Sequence, residues 1–342
     1  MTGAQAAPYG RLRTVDEWLD MARQIYSAGV LYLTLTGGEC TLYPGFERLY
    51  VELAKMGFRL TVMSNAAAFT DSIKDLFRRY PPQSLAVTLY GGSNAAYEAV
   101  TGDARGFDKT AENIRFLQSV GVRVVLNFTA IRQNVLDLPL VGEFCEELGL
   151  PYTLITDITG HQRNISFSDA LSCRLSPAQR VCVTCHPPEQ VELALEKAAI
   201  LEKEYTDFHI PDESDFSSDP DKEENQRDQC IGSMTGSAIF WNGDMQSCIS
   251  MNGYKCVKPF EIGFEAAWAE LKARENETFR RPAVCQKCEM GEYCLHNCAA
   301  RRFEGTGSVH DPDPYICEYT HLWTLYKKKQ AAVNSQENYS CF

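Results

Sequence analysis

The chain has 342 residues, 44% of them hydrophobic and 23% charged, with a net charge of −12 at pH 7. Such a length suits about two domains of the usual 100–200 residues, and the composition allows a sizeable buried core. The acidic balance argues against a nucleic-acid backbone as main ligand. No apolar run approaches the roughly 20 residues of a membrane span, and MTGAQAAPYGRLRTVDEW lacks the apolar stretch of a signal peptide. The expectation is a cytoplasmic protein with no membrane or nucleic-acid partner. In that compartment fourteen cysteines point to metal or thiol chemistry before disulfides.

In chain order, Thr14-Val15-Asp16-Glu17 reads as a capping box, threonine as N-cap and glutamate three residues on. Val15, Trp18, Leu19, Ala22, Ile25 and Tyr26 then form an apolar stripe at helical spacing, which Gly29 ends. A β-rich run, Val30 to Leu35, closes on Thr36-Gly37-Gly38-Glu39. Helix 46–56 leads to strand 58–63 and Ser64-Asn65; helix 71–79 leads to strand 84–89 and Tyr90-Gly91-Gly92. Helix 107–120, strand 123–130, helix 136–148 and strand 152–158 complete the alternation.

Five strands separated by helices call for an α/β fold with a parallel sheet and right-handed crossovers. An open doubly wound sheet and a barrel both fit, and either puts functional residues just past the carboxyl ends of the strands. Those ends carry Gly37-Gly38-Glu39, Ser64-Asn65, Tyr90, Asn127 and Asp157. No GxGxxG or GxxxxGK[ST] occurs, so nucleotide phosphates have no recognisable cradle. Taken alone, Gly37-Gly38 fits a tight turn as well as a ligand site.

Residues 202–228 hold eleven acidic and three basic side chains, the pattern of a solvated linker; an acidic dock for a basic peptide is the alternative. Beyond it, SAIFWNGDMQSC reads as a β-hairpin turning at Asn242-Gly243. CQKCEMGEYCLHNC then packs four cysteines into fourteen residues. Structural zinc, with His296 or His310 completing the set, and iron–sulfur clusters both use such spacing. Cys182-Val-Thr-Cys185 reads as a redox pair, a ligand pair or simply two thiols, the last being the commonest case. Cys40, Cys145, Cys173 and Cys341 read as packing or incidental thiols.

Two segments carry a resemblance. TLTGGECTLYPGF, Thr34 to Phe46, resembles the second strand and turn of radical S-adenosylmethionine (SAM) enzymes. VTLYGGSNAAYEAVTG, Val87 to Gly102, is similar to the fourth-strand segment of members with a cysteine-rich C-terminal extension. The resemblance implies that Gly37, Gly38 and Glu39 bind the methionine end of SAM, with Ser64, Thr88 and Asn127 as ribose or carboxylate contacts. It implies a partial (β/α)6 barrel lacking strand one, followed by a small cysteine-rich α+β domain. The expected division is barrel 1–200, acidic linker 201–229 and cluster domain 230–342. In that family the catalytic [4Fe–4S] cluster sits on CxxxCxxC after strand one, and no CxxxCxxC occurs here. The expectation is that strand one and its loop lie upstream of Met1 in a longer reading frame, with a degenerate copy as the rival reading. As written, the chain is not expected to cleave SAM.

Cys230, Cys248, Cys285, Cys288, Cys294, Cys298 and Cys317, with Gly243 five residues before Cys248, fit the spacing of the SPASM extension of radical SAM maturases. That resemblance implies two auxiliary [4Fe–4S] clusters: one on Cys285, Cys288, Cys294 and Cys317, the other on Cys230, Cys248 and Cys298. The second then takes a fourth ligand from Cys182, Cys185 or Cys256, or leaves an iron open. By resemblance, a 5′-deoxyadenosyl radical would modify a peptide or protein side chain, with a flavodoxin or ferredoxin as electron donor. The alternatives are a non-catalytic iron–sulfur carrier and a zinc-binding interaction module.

Overall fold

The computed structural model describes residues 11–158, 171–204, 235–251, 253–290, 293–294 and 298–337. Its elements begin with α1 (Val15–Ser27), β1 (Tyr32–Leu35), α2 (Phe46–Lys55), β2 (Arg59–Ser64), α3 (Asp71–Arg79) and β3 (Ser84–Leu89). They continue with α4 (Asn94–Thr101), α5 (Gly106–Ser119), β4 (Val124–Thr129), α6 (Leu138–Leu148) and β5 (Tyr152–Ile155). Then come α7 (Pro177–Cys185), α8 (Val191–Glu204), β6 (Ala238–Ile239), β7 (Met245–Gln246), α9 (Phe264–Ala273), α10 (Ala299–Thr306) and α11 (Pro314–Glu337). The expected linker falls mostly on residues 205–234, outside the described residues, as do Cys230, His296 and Cys341.

The chain divides into two compact units, residues 1–155 with 238–246 and 255–272, and residues 156–237 with 247–254 and 273–342. In the first, α1 starts as its sequence requires. Thr14 Oγ1 accepts the Glu17 N–H, and the Glu17 carboxylate accepts the Thr14 N–H at 2.8 Å. Tyr26, expected in the apolar stripe, is instead half exposed with its ring set edge-on to Phe58, while Met21 is buried.

β1 to β5 form one parallel sheet in the order β1-β2-β3-β4-β5. A doubly wound sheet reverses its direction of growth once, and this one never does. With right-handed crossovers, sequential growth carries every helix to the same face, which is the geometry of an opened barrel.

Burial separates the two faces. Leu60, Val62, Ser64, Leu85, Val87, Leu89, Val124, Leu126 and Phe128 alternate as the buried set, with α2 against β2 and α5 against β3 and β4. Thr61, Ala86, Thr88, Val125, Asn127 and Thr129 lie between them on the half-covered face. Each fully buried leucine, valine or phenylalanine adds roughly 1.5–3 kcal/mol relative to exposure, so the alternation fixes the register firmly.

α4 is not among the helices that the apolar spacing predicts, although Ser93 caps it by accepting the Ala96 N–H. The hairpin at 238–246 forms as read, with Gly243 at φ 91° in its turn, and it belongs to the first unit. Arg13 of that unit donates to the carbonyl of Asn242 at 3.4 Å and covers Phe260.

In the second unit α7 packs against both α8 and α11. A separate small core gathers Met251, Phe279, Ala299, Ala300, Phe303 and Val309.

Candidate functional site

The Gly37-Gly38-Glu39 turn leaves the carboxyl end of β1 and runs into a short 3-10 turn over Cys40–Leu42. The Glu39 carboxylate organises this end of the sheet. It accepts the Thr41 N–H at 3.1 Å and the Thr41 hydroxyl at 2.7 Å within its own loop. Across to β2, it accepts the Ser64 hydroxyl at 2.9 Å and the Asn65 N–H at 2.8 Å. One carboxylate thereby binds the two loops that follow β1 and β2. Charge-assisted bonds of this kind are about twice as strong as neutral ones.

The two glycines border open space. A Cβ built on Gly37 or Gly38 would meet nothing within 4 Å. At the end of β3 the opposite holds: a Cβ on Gly91 would come within 2.4 Å of Ala96 Cβ, and one on Gly92 within 2.5 Å of the Leu140 backbone. Gly91-Gly92 are therefore demanded by packing, while Gly37-Gly38 border open space.

The loops after β3 and β4 are tied as tightly. Buried Asn134 accepts the Ile131 N–H at 2.7 Å and donates to the carbonyls of Tyr90 and Thr129, both at 2.9 Å. Asp137 accepts the Gly92 N–H and the Ser93 hydroxyl. Neither residue was singled out from the sequence; an Asn and an Asp three apart before a helix was the available signal.

The expected SAM-contacting residues separate into two groups. Gly37, Gly38, Glu39 and Ser64 converge at one corner. Ser64 belongs to the buried face of the sheet, and its hydroxyl is taken by Glu39 and by the Ala66 N–H at 2.9 Å. Thr88 and Asn127 are direct partners in adjacent strands on the half-covered face. Ala66, fully buried at φ 54°, holds the chain just past Ser64-Asn65 in a left-handed turn that alanine seldom adopts.

Two side chains sharpen the electrostatics there. Burial pushes the Cys40 thiol up to about 12, aided by the Glu39 charge, and its Sγ lies 3.4 Å from the Met63 carbonyl. Burial, then the charge of Glu39, also raises the Tyr90 phenol, which places that ring near the same carboxylate.

In the second unit, four of the expected cluster ligands share one neighbourhood. Burial raises the Cys317 thiol furthest, followed by the charges of Cys285, Cys294 and Cys288. Burial also brings Cys285 up to about 11; the buried cation Arg302 opposes this and Cys294 and Cys288 add to it. Thr320 Oγ1 lies 3.6 Å from Cys294 Sγ. Arg302, fully buried, donates to the carbonyls of Val309 and Arg280. Cys248 and Cys298 pack against one small core, the one containing Phe279 and Phe303.

Several thiolates gathered under burial repel one another unless cations neutralise them, so this donor set suits a metal centre. Among the described residues no three His, Cys, Asp or Glu side chains are grouped to hold a single metal ion.

The Radical SAM superfamily model matches residues 2–139. That segment is similar to the radical SAM superfamily. The sporulation killing factor maturation protein SkfB of Bacillus subtilis (strain 168) is 25% identical over 142 residues, 42% of this chain and 34% of SkfB. The matched stretch thus spans about a third of that relative's length. Among solved structures, Streptococcus suis SuiB bound to S-adenosylmethionine superimposes with a TM-score of 0.59 at 17% identity, over 89% of this chain and 70% of SuiB. SuiB is also known bound to its precursor peptide SuiA. Native anSMEcpe with bound AdoMet gives 0.60 at 14% identity, over 96% of this chain and 92% of that one. At these identities the likeness shows the fold: an α/β chain whose parallel sheet matches a partial radical SAM barrel.

Proposed function

We propose that this chain is the SAM-binding and auxiliary-cluster portion of a radical SAM/SPASM enzyme that modifies a peptide or protein side chain. The observation carrying this reading is the shared neighbourhood of Cys285, Cys288, Cys294 and Cys317, in a chain whose residues 2–139 match the radical SAM superfamily model. When bound, SAM and a reduced iron–sulfur cluster would supply radical chemistry at the substrate side chain.

The chain's own residues have distinct tasks. Gly37 and Gly38 present bare backbone to the methionine end of SAM. Glu39 positions that backbone by fastening it to Ser64 and Asn65, so its role is indirect. Thr88 and Asn127, side by side on the half-covered face, contact ribose or carboxylate. Cys285, Cys288, Cys294 and Cys317 hold one auxiliary cluster, with Arg302 balancing its negative charge. Cys230, Cys248 and Cys298 hold the other. The expected boundaries, a barrel to residue 200, a linker over 201–229 and a cluster domain from 230, belong to this proposal, as do a cytoplasmic setting and a flavodoxin or ferredoxin donor. A peptide substrate is favoured by the relatives' names, a maturation protein and an enzyme crystallised with its precursor peptide.

The sequence contains no CxxxCxxC, so radical generation is tested in a form to which that motif has been added. The test is dithionite-reduced, anaerobically reconstituted protein of that form with SAM. Formation of 5′-deoxyadenosine supports the reading. A fully iron-loaded form that leaves SAM intact contradicts it and favours an iron–sulfur carrier.

A further inference from the structure

A pair of thiols in the second unit has no part in the proposed chemistry. α7 ends in Cys182-Val183-Thr184-Cys185, with His186 as its C-cap. Residues three apart on a helix share a face, and helix geometry sets their Cα atoms about 5 Å apart, inside the range that disulfides span. Cys182 is fully buried and Cys185 partly exposed, and each lies in the field of the other.

Two neighbouring helices complete the surroundings. The charge of Lys327, on α11, acts against the burial that raises the Cys185 thiol. Lys197, on α8, bears on Cys182 and donates to His186 Nε2 at 3.0 Å. Tyr326 OH donates to the same nitrogen at 3.3 Å, while His186 Nδ1 donates to the Cys182 carbonyl at 2.7 Å. Nδ1 thus carries the proton, and the ring ties the last turn of α7 to α8 and α11. The remaining groups facing the pair are Glu202 of α8 and Tyr319 of α11. Two lysines repel a metal ion but stabilise a thiolate.

We propose that Cys182 and Cys185 are a redox-active dithiol that closes to an intrahelical disulfide by exchange with a small-molecule disulfide, Cys185 attacking first. The Cys185 thiolate, beside Lys327, bonds to one sulfur of the reagent and expels the other as thiolate. The Cys182 thiolate then attacks the Cys185 sulfur and expels the second reagent thiolate. Two electrons pass to the reagent, and the two thiol protons go to solvent. Burial raises both thiols, Cys182 to about 11, so closure is slow at neutral pH and the disulfide, once formed, resists reduction.

The test treats the full iron-loaded chain anaerobically with glutathione disulfide, quenches in acid, alkylates and maps the peptide containing residues 182–185. The expected product lacks both alkyl groups and is about 2 Da lighter than the reduced peptide, forming about tenfold faster at pH 8 than at pH 7. Cys182→Ser should stop at a glutathione adduct on Cys185, and Cys185→Ser should give no adduct in the same time. A wild-type peptide that keeps two alkylatable thiols, or stops at the mixed disulfide, overturns the proposal. So does protection of the pair by bound iron that disappears in iron-free protein, since that outcome makes the two cysteines cluster ligands.

Discussion

Glu39 and Ser64, twenty-five residues apart in sequence, meet where β1 and β2 end: the serine hydroxyl lies 2.9 Å from both carboxylate oxygens. The contact joins the glycine turn to the next strand's loop.

Glu39→Ala should therefore weaken SAM binding without removing iron. It should also open the Met63 side of the loop, raising the rate of Cys40 alkylation in native protein at pH 8 at least tenfold. Peptide-resolved alkylation reads the second effect independently of SAM. An unchanged Cys40 rate would mean the clamp does not close that corner.

The pH dependence of Cys40 has a definite sign. Its thiol is raised to about 12, mainly by burial. A raised thiol favours the folded state below the ordinary cysteine range, near 8.5, and that contribution is lost as pH climbs from there toward 12. Cys40→Ala should therefore flatten the loss of stability between pH 8.5 and 11, measured by denaturant unfolding. An identical slope in the variant would contradict this assignment.

Gly38→Ala and Gly92→Ala should separate binding from folding. An alanine at 92 collides with the Leu140 backbone, so it should lower the unfolding free energy by roughly the 1–3 kcal/mol of an overpacked core. Open space surrounds position 38, so its variant should keep stability within about 0.5 kcal/mol while losing SAM affinity. Equal destabilisation in both would remove the reason for treating Gly37-Gly38 as a ligand-facing backbone.

Asn134→Ala should destabilise the first unit. It leaves the Ile131 N–H and the Tyr90 and Thr129 carbonyls without their side-chain partner, at about 1–3 kcal/mol for each group that stays unsatisfied. Thermal unfolding measures this directly, and a change under about 0.5 kcal/mol would show that water replaces the amide.

Much of this architecture was legible because its signals are local. The Thr14 capping box, the alternation in β2 to β4 and the Asn242-Gly243 turn each depend on residues within a few positions of one another. The choice between a barrel and a doubly wound sheet was not, because strand order is a long-range property. Glu39 was legible by motif, whereas its task was not: nothing local in Glu39 and Ser64 says that one will accept from the other across twenty-five residues. Ser64 reads as a candidate ribose or carboxylate contact from its place at the end of β2. Its place on the buried face follows from register, which pairs it with Val87. The cysteine spacing suggested a shared ligand set, but the buried Arg302 beside Cys285 is a tertiary fact with no spacing signature.

The most direct measurement is iron and acid-labile sulfide in the anaerobically reconstituted full chain, compared with Cys294→Ala. Two cubane clusters give about eight iron and eight sulfide per chain, and losing one ligand set should reduce both by about four and lower the unfolding temperature. A colourless protein containing zinc and no iron, or a Cys294→Ala chain with its full complement of iron, would contradict the account.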